Sequence, residues 1–206
     1  MNKSEEIKTR LKEAGIRSWA GDNISDVLVD GDKEALIEEA TVAFESVLDS
    51  LVIDRHNDPN SMGTGKRLAK MYINEIFSGL NPKNKPKAST FDNKYKYGEI
   101  LVEKNITLYS TCEHHLLPIV GKAHIAYVSQ GNVVGLSKMN RIVQYYAQRP
   151  QVQERLTLQI VKELQQVLET DDVACIVDAK HLCVNQRGIK DVSSSTVTSE
   201  FGGIFK

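Results

Sequence analysis

The order of secondary-structure signals in the second half of the chain limits its possible folds more than any other feature of the sequence. Short stretches rich in β-branched residues predict two strands, stretches with apolar residues every three or four positions predict two helices, and two further strands follow. The predicted elements are residues 99–111, 119–129, 137–148, 150–169, 173–184 and 189–199. This order indicates an α+β fold in which the helices cover one face of an antiparallel sheet.

The first half of the chain predicts a separate helical region. Apolar residues recur at helical spacing over residues 32–51 and again over residues 64–78, and Gly79 provides a stop signal for the second helix. The stretch 81–97 contains two prolines and five lysines without a period, which is typical of a connector. The predicted organisation is a helical region at 1–80, a connector at 81–97 and a sheet-containing domain at 98–206.

Charge and cysteine content exclude several classes of protein. The chain has 26 Lys and Arg residues against 27 Asp and Glu residues, whereas a dedicated nucleic-acid binder normally has a basic excess. No apolar run approaches the roughly 18 residues that span a bilayer, and the start of the chain lacks an apolar signal core, so we expect no membrane association. Three cysteines without a secretory signal indicate the reducing cytoplasm rather than a disulfide framework.

Two short cysteine and histidine motifs indicate a metal site. Cys112-Glu113-His114-His115 offers a Cys-x-x-His pair in a loop, and His181-Leu182-Cys183 offers further ligands, which the alternation of a strand would place on one sheet face. Thiolate and imidazole are ligands that Zn²⁺ prefers, and a catalytic zinc typically keeps three protein ligands and an open position. Cys175 lies roughly 26 Å away along an extended strand and is expected to be a buried thiol.

A second group of residues could bind phosphate. Ser137 is the expected N-cap of the helix at 137–148, and Lys138 and Arg141 lie three apart on its surface. A helix N-terminus has unpaired N–H groups and a positive dipole end, which favours an anion. Arg187 adds a guanidinium four residues beyond Cys183. The alternative interpretation is a capped helix with solvated basic side chains.

A third feature is the pair Gln153-Glu154 in the first turn of the long helix. The carboxylate of Glu154 could accept two parallel N–H bonds from the N1–H and 2-amino edge of guanine. The alternative interpretation is that Glu154 complements the helix dipole.

These residues lie in blocks that resemble a known family. The blocks are STCEHHLLPIVGKAHIAYV, VVGLSKMNRIVQYYAQRPQVQERLT and AKHLCVNQRGIKD, and together they are similar to GTP cyclohydrolase I of the homomeric type. The resemblance extends from RLAKMYINEIFSGL to the final FGGIFK, roughly the last two-thirds of the chain. It implies the tunnelling fold, built from two strands, two helices and two strands, and a toroidal decamer with active sites between subunits.

The resemblance also implies a role for each matching residue. The implied zinc ligands are Cys112, His115 and Cys183, and the implied acid/base residues are His114 and His181. Glu154 and Gln153 are implied substrate-binding residues, with Glu154 holding guanine and Gln153 beside it. The residues expected to hold the triphosphate are Ser137, Lys138, Arg141, Arg187 and Arg67. One departure is Thr64-Gly65 where the family usually has Thr-Pro, and glycine is expected to loosen this helix start, which bears on the placement of Arg67.

The implied reaction is the zinc-dependent conversion of GTP and water to 7,8-dihydroneopterin triphosphate and formate, the first step of pterin and folate-type biosynthesis. Two alternatives stay open from the sequence. One is a nitrile reductase of the deazaguanine pathway, which shares the tunnelling fold but needs a catalytic Cys and nicotinamide without a zinc triad. The other is a non-catalytic assembly protein that binds zinc or a guanine nucleotide.

Overall fold

The computed structural model of the chain describes residues 2–22 and 24–206. Contacts divide the chain into two units, Met1–Pro82 and Lys83–Lys206. The assignment of roles to 1–80, 81–97 and 98–206 stays a prediction. Within the described residues, no helix combines the length and the apolar character needed to cross a membrane.

The first unit is helical. It contains α1 (Lys3–Glu13), α2 (Asp32–Ser50) and α3 (Thr64–Met71), and α3 continues as a π-helical turn over Tyr72–Ile76. Helices α2 and α3 confirm the predicted elements at 32–51 and 64–78. Helix α1 falls in the polar lead-in, for which no element was predicted, and its buried residues Ile7 and Leu11 lie four apart on one face.

Gly65 has a packing role in the first unit. A Cβ atom at this position would lie 2.6 Å from Cγ of Glu45 and 3.0 Å from the carbonyl oxygen of Thr41, both on α2. Only a residue without a side chain therefore allows α3 to approach α2 this closely. The prediction that Gly65 loosens the start of α3 did not take this close contact with α2 into account.

The second unit contains two sheets and three helices. Its strands are β1 (Thr90–Asp92), β2 (Leu101–Cys112), β3 (Pro118–Tyr127), β4 (Asn132–Val134), β5 (Pro150–Gln151), β6 (Val173–His181) and β7 (Thr196–Phe201). Its helices are α4 (Leu136–Ala147), α5 (Gln153–Leu168) and α6 (Leu182–Asn185). Short 3₁₀ turns lie at Ser25–Val27 and Ser78–Leu80 in the first unit, at Pro82–Asn84 where the two units join along the chain, and at Gly203–Phe205 in the second unit.

The main sheet has the strand order β5-β2-β3-β6-β7. The β2–β3, β3–β6 and β6–β7 pairs are antiparallel, and only the two-residue β5 pairs parallel with the end of β2. Alternate residues of the central strands are buried, and α4 and α5 share one core with them. The predicted α+β layout with helices on one face of an antiparallel sheet is confirmed at this level.

The register of β6 against β3 is fixed by a close approach at Gly121. Gly121 pairs with Ala179, and a Cβ atom at 121 would lie 2.5 Å from Cα of Ala179 and would overlap the carbonyl oxygen of Asp178. This pairing places His181, the last residue of β6, opposite Ile119 near the start of β3. The end of β6 is thereby held beside the turn that joins β2 to β3.

Two predicted element boundaries are wrong. Pro150 does not begin the long helix, because Pro150 and Gln151 pair with Thr111 and Cys112 and α5 begins only at Gln153. The predicted strand at 173–184 ends at His181, and the chain then forms α6. Both boundaries depend on pairing with distant strands, which local periodicity does not report.

Two further segments differ from the sequence prediction. The returning strand covers Thr196–Phe201 instead of 189–199, because the Asp191 side chain accepts hydrogen bonds from the backbone of Ser193 and Ser194 and forms a local turn. Strand β1 lies within the predicted connector at 81–97, and it pairs with β4 in a separate two-stranded sheet.

Candidate metal and substrate site

The three predicted metal ligands lie together at one end of the main sheet. The ligand atoms of Cys112, His115 and Cys183 all lie within 4.8 Å of one another. Cys112 ends β2, and a tight turn follows in which the N–H of Leu116 donates to the Cys112 carbonyl at 2.9 Å. This turn carries His115 back toward Cys112.

Cys183 reaches the group by a different route from the one predicted. The expectation that His181 and Cys183 project from the same face of a strand is wrong, because β6 ends at His181 and Cys183 lies in α6. A helical turn shortens the path along the chain, so the Cys183 thiol approaches Cys112 while His181 keeps its strand position.

The chemistry of these donors fits a zinc ion. Burial and the neighbouring Cys112 thiol raise the pKa of Cys183, and the positive charge of Arg187 opposes this effect. Two adjacent thiolates repel each other, and a divalent cation between them would relieve that repulsion. Two thiols and one imidazole form a borderline-soft ligand set that suits Zn²⁺ and leaves a fourth position open.

Cys175 does not belong to this group, as predicted. Its side chain is fully buried in the core, and burial raises its pKa to about 12. A thiol that stays protonated in apolar surroundings is a structural residue and a poor ligand.

His114 and Arg187 lie beside the ligand group, which is the set Cys112, His115 and Cys183. Nδ1 of His114 lies 3.8 Å from Sγ of Cys112, and the ring of His114 is 6.4 Å from that of His115. A guanidinium nitrogen of Arg187 lies 3.2 Å from Nε2 of His115. Since arginine can only donate, this nitrogen of His115 is the acceptor. Arg187 thus places a positive charge beside the ligand group.

His181 is held by a buried amide. Its Nε2 lies 2.7 Å from Oε1 of Gln153, whose side chain is buried. Burial lowers the pKa of His181, and the negative charge of Glu154 opposes this effect. The structure therefore brings His181, Gln153 and Glu154 together around the first turn of α5.

Glu154 is exposed and borders a small cavity. The cavity has a volume of about 210 Å³ and is also lined by Thr157, Leu158, Thr198, Ser199 and Glu200. Because α5 begins at Gln153, Glu154 lies in its first turn, as predicted. The carboxylate is thus available to a ligand.

An ion pair anchors the turn that carries the ligands. A guanidinium nitrogen of Arg155 donates to Glu113 at 2.6 Å, and Nε of Arg155 donates to Oε1 of Gln151 at 2.9 Å. The N–H of Glu113 also donates to the Gln151 carbonyl at 3.0 Å. Sequence reasoning missed this anchor because nothing in the spacing links Arg155 to Glu113.

Of the predicted phosphate residues on α4, Ser137 and Lys138 lie at the opposite end of that helix from the ligand group, and Arg141 lies midway along it. Helix α4 begins at Leu136 with Gly135 as its N-cap, so the prediction that Ser137 is the cap is wrong. Ser110, two residues before Cys112, donates to the carbonyl of Ala147 at the end of α4. At about 1.5 Å per residue, Ser137 lies about 15 Å along the axis from Ala147.

The cations of α4 lack an ion-pair partner within the described part of the chain. Among the residues that the structure describes, no carboxylate oxygen lies within 4 Å of the Lys138 or Arg141 side chain. A basic pair at the start of a helix without internal counter-charges is a suitable site for an anion.

Arg67 belongs to the first unit and has a fixed orientation. Its guanidinium donates to Oγ1 of Thr64 at 2.8 Å and to the carbonyl oxygens of Met62 and Asn60 at 3.0 and 3.1 Å. Its place relative to the ligand group stays a prediction.

A Cys₂His group that could hold a metal ion lies beside a held histidine and an exposed carboxylate, an arrangement suited to enzyme chemistry. The chain matches the family GTP cyclohydrolase I over residues 40–206. It is 60% identical to GTP cyclohydrolase 1 of Flavobacterium johnsoniae, over 100% of this chain and 92% of the relative. It is 46% identical to GTP cyclohydrolase 1 of Vibrio cholerae, over 97% of this chain and 89% of the relative. The chain belongs to the GTP cyclohydrolase I family and is an enzyme of that kind.

Among solved structures, the archaeosine synthase QueF-Like in the apo form matches 53% of this chain and 99% of its own. The TM-score is 0.44 at 14% identity, which is too low to establish a shared fold.

Proposed function

We propose that this enzyme converts GTP and water to 7,8-dihydroneopterin triphosphate and formate, with one Zn²⁺ per subunit. The observation that carries the proposal is the convergence of Cys112, His115 and Cys183 beside His181 and Glu154. A purine bound by Glu154 would thus lie near both a metal position and a histidine.

Cys112, His115 and Cys183 are the residues that would hold the zinc ion. A zinc ion with three protein ligands lowers the pKa of a water in its fourth position to near neutrality and so supplies a nucleophile at physiological pH. Arg187, at 3.2 Å from His115, keeps the surroundings positive and favours an anionic substrate.

Glu154 would hold the base. Its exposed carboxylate can accept the N1–H and 2-amino protons of guanine as a bidentate pair. The adjoining cavity of about 210 Å³ offers room beside this carboxylate. Fixing the base by this edge would place the imidazole ring of the purine in register with the reacting groups.

His181 and His114 would move protons. His181 would protonate N7 of the purine as the imidazole ring opens, and the negative charge of Glu154 partly offsets the effect of burial on the pKa of His181. After loss of formate, the ribose rearranges in an Amadori-type step, in which exposed His114 would shuttle protons. Closure of the second ring then gives the pterin.

Ser137, Lys138, Arg141, Arg187 and Arg67 would bind the triphosphate. The distance along α4 separates Ser137 and Lys138 from the ligand group of the same chain, which supports a site completed by α4 of a neighbouring copy. We also propose the tunnelling fold and the toroidal decamer with active sites between subunits that the family resemblance implies.

The test is incubation of the zinc-loaded protein with GTP, followed by measurement of formate and of a fluorescent pterin after oxidation. Cys112→Ser and Cys183→Ser are expected to abolish both zinc binding and turnover, whereas Cys175→Ala serves as the matched cysteine control and should retain zinc. Folded, fully zinc-loaded protein that gives neither product would refute the proposal. Tight GTP binding without chemistry would instead indicate a nucleotide-binding protein.

A further inference from the structure

The side chain of Gln153 has hydrogen-bond partners on both ends of its amide. Its Nε2 lies 2.8 Å from the carbonyl oxygen of Thr196, 3.1 Å from that of Val177 and 3.2 Å from Oγ1 of Thr198. Its Oε1 faces Nε2 of His181 at 2.7 Å. The side chain is 1% exposed, so water does not compete for these bonds.

Two threonines fix the direction of every hydrogen bond in this network. The Thr157 hydroxyl lies 2.9 Å from the backbone carbonyl of Gln153 and must donate to it. The 2.7 Å contact between the two threonine hydroxyls then requires Thr198 to donate to Thr157. Since Thr198 has used its hydrogen, its oxygen can only accept from Gln153.

The amide of Gln153 therefore has one allowed orientation. A flipped amide would place its oxygen against two carbonyl oxygens and a hydroxyl without a free hydrogen, which would leave buried acceptors unpaired. With the amide nitrogen toward these three acceptors, Oε1 faces His181. An amide oxygen can only accept, so Nε2 of His181 must carry a hydrogen.

We propose that Gln153 is a positioning residue that holds His181 in the tautomer with hydrogen on Nε2, so that Nδ1 is the nitrogen that exchanges a proton with the substrate. This inference rests on the acid/base role of His181 in the proposed function. It gives Gln153 a role that acts through the histidine, in place of the direct substrate contact expected from the resemblance.

The role has a physical consequence for catalysis. A histidine that can rotate or change tautomer offers the correct nitrogen to the substrate only part of the time. Gln153 comes from the start of α5, and its three acceptors lie on β6 and the edge strand β7. The packing of the helix on the sheet thereby determines which nitrogen of His181 reacts.

The first test measures the tautomer directly by solid-state NMR on the zinc-loaded oligomer without GTP, prepared with ¹⁵N,¹³C-histidine. The His181 signals are assigned by their loss in His181→Asn. We expect hydrogen on Nε2 in the unsubstituted protein and a mixture of tautomers in Gln153→Met. Gln151→Met, used only at full zinc content because Gln151 also bonds to Arg155 of the turn anchor, is the control: Gln151 is equally buried but bonds to Tyr146, Gln159 and Arg155 instead of His181.

The second test separates positioning from binding by kinetics with GTP. We expect Gln153→Met to lower kcat about 100-fold, the smaller end of acid/base contributions, with KM for GTP changed less than threefold and zinc content unchanged. A rise in KM at constant kcat would overturn the proposal in favour of direct substrate binding. Hydrogen on Nδ1 in the unsubstituted protein, or the same tautomer in Gln153→Met, would also overturn it. Absence of turnover in every variant would refute the proposed function but leave the NMR result valid.

Discussion

The ion pair between Arg155 and Glu113 is expected to hold the turn that carries the proposed zinc ligands in its binding conformation. The guanidinium and carboxylate lie 2.6 Å apart, and their side chains are 32% and 22% exposed. Charged hydrogen bonds contribute about 1.5–3 kcal/mol when buried, and exposed ion pairs contribute about 0–1 kcal/mol. Partial exposure places this pair between the two ranges, so we expect a coupling energy of about 1–2 kcal/mol.

The assay is a double-mutant cycle on zinc affinity, measured by competition with a chromophoric chelator. The cycle comprises the unsubstituted protein, Glu113→Gln, Arg155→Met and the double variant. Because the turn must be ordered to bind zinc, each single variant should bind zinc about 5–30-fold more weakly, which corresponds to about 1–2 kcal/mol. The double variant should lose little more than either single variant.

Lys85→Met is the matched control. It breaks a 2.7 Å ion pair with Glu163 in the same unit but removes no contact of the turn that carries Cys112 and His115. Its zinc affinity should equal that of the unsubstituted protein. If the losses of Glu113→Gln and Arg155→Met simply add in the double variant, the two residues act independently and the reasoning is refuted.

Three further perturbations test other parts of the structure. Glu154→Ala should raise KM for GTP at least tenfold at normal zinc content, since it removes a bidentate contact to the base; an unchanged KM would contradict base recognition. Gly121→Val should destabilise the protein by more than about 3 kcal/mol in denaturant unfolding, since the side chain overlaps Ala179; an unchanged midpoint would contradict the register. Hydrogen bonds from Val29 and Arg10 hold the pKa of Asp32 below its usual value. This carboxylate therefore contributes stability that is present above about pH 4 and lost as the pH falls. In acid titrations, Asp32→Asn should weaken the fall in the free energy of unfolding below that pH, and an unchanged fall would contradict this role.

The sequence predicted the order of the main elements because their signals are local. Periodicity at 137–148 reflects the buried face of α4, which any core would need, whereas over 32–51 Leu48 is buried but Val47 and Leu51 of the apolar stripe are exposed. The boundaries at Pro150 and His181 were missed because pairing with β2 and the start of α6 decide them. These contacts join residues far apart in the chain, and no local pattern encodes them.

The candidate site was predictable in residue type but not in arrangement. Cys112, His115 and Cys183 were selected by ligand chemistry and by the resemblance, and the structure brings their donor atoms together. The bond from Gln153 to His181 could not be predicted, because the partners that orient the amide include Thr196 and Thr198, whose position depends on the register of β7.

The separation of the proposed metal ligands along the chain has a consequence for folding. Cys112 and His115 lie near the end of β2, whereas Cys183 follows β6. Strand β6 can pair with β3 only when the intervening segment, which contains α4 and α5, closes as a loop. Such long-range pairing is slow because a large loop must close first. The rate at which refolding protein acquires tightly held zinc should therefore follow the last steps of folding, and the metal should stabilise only chains that have completed the sheet.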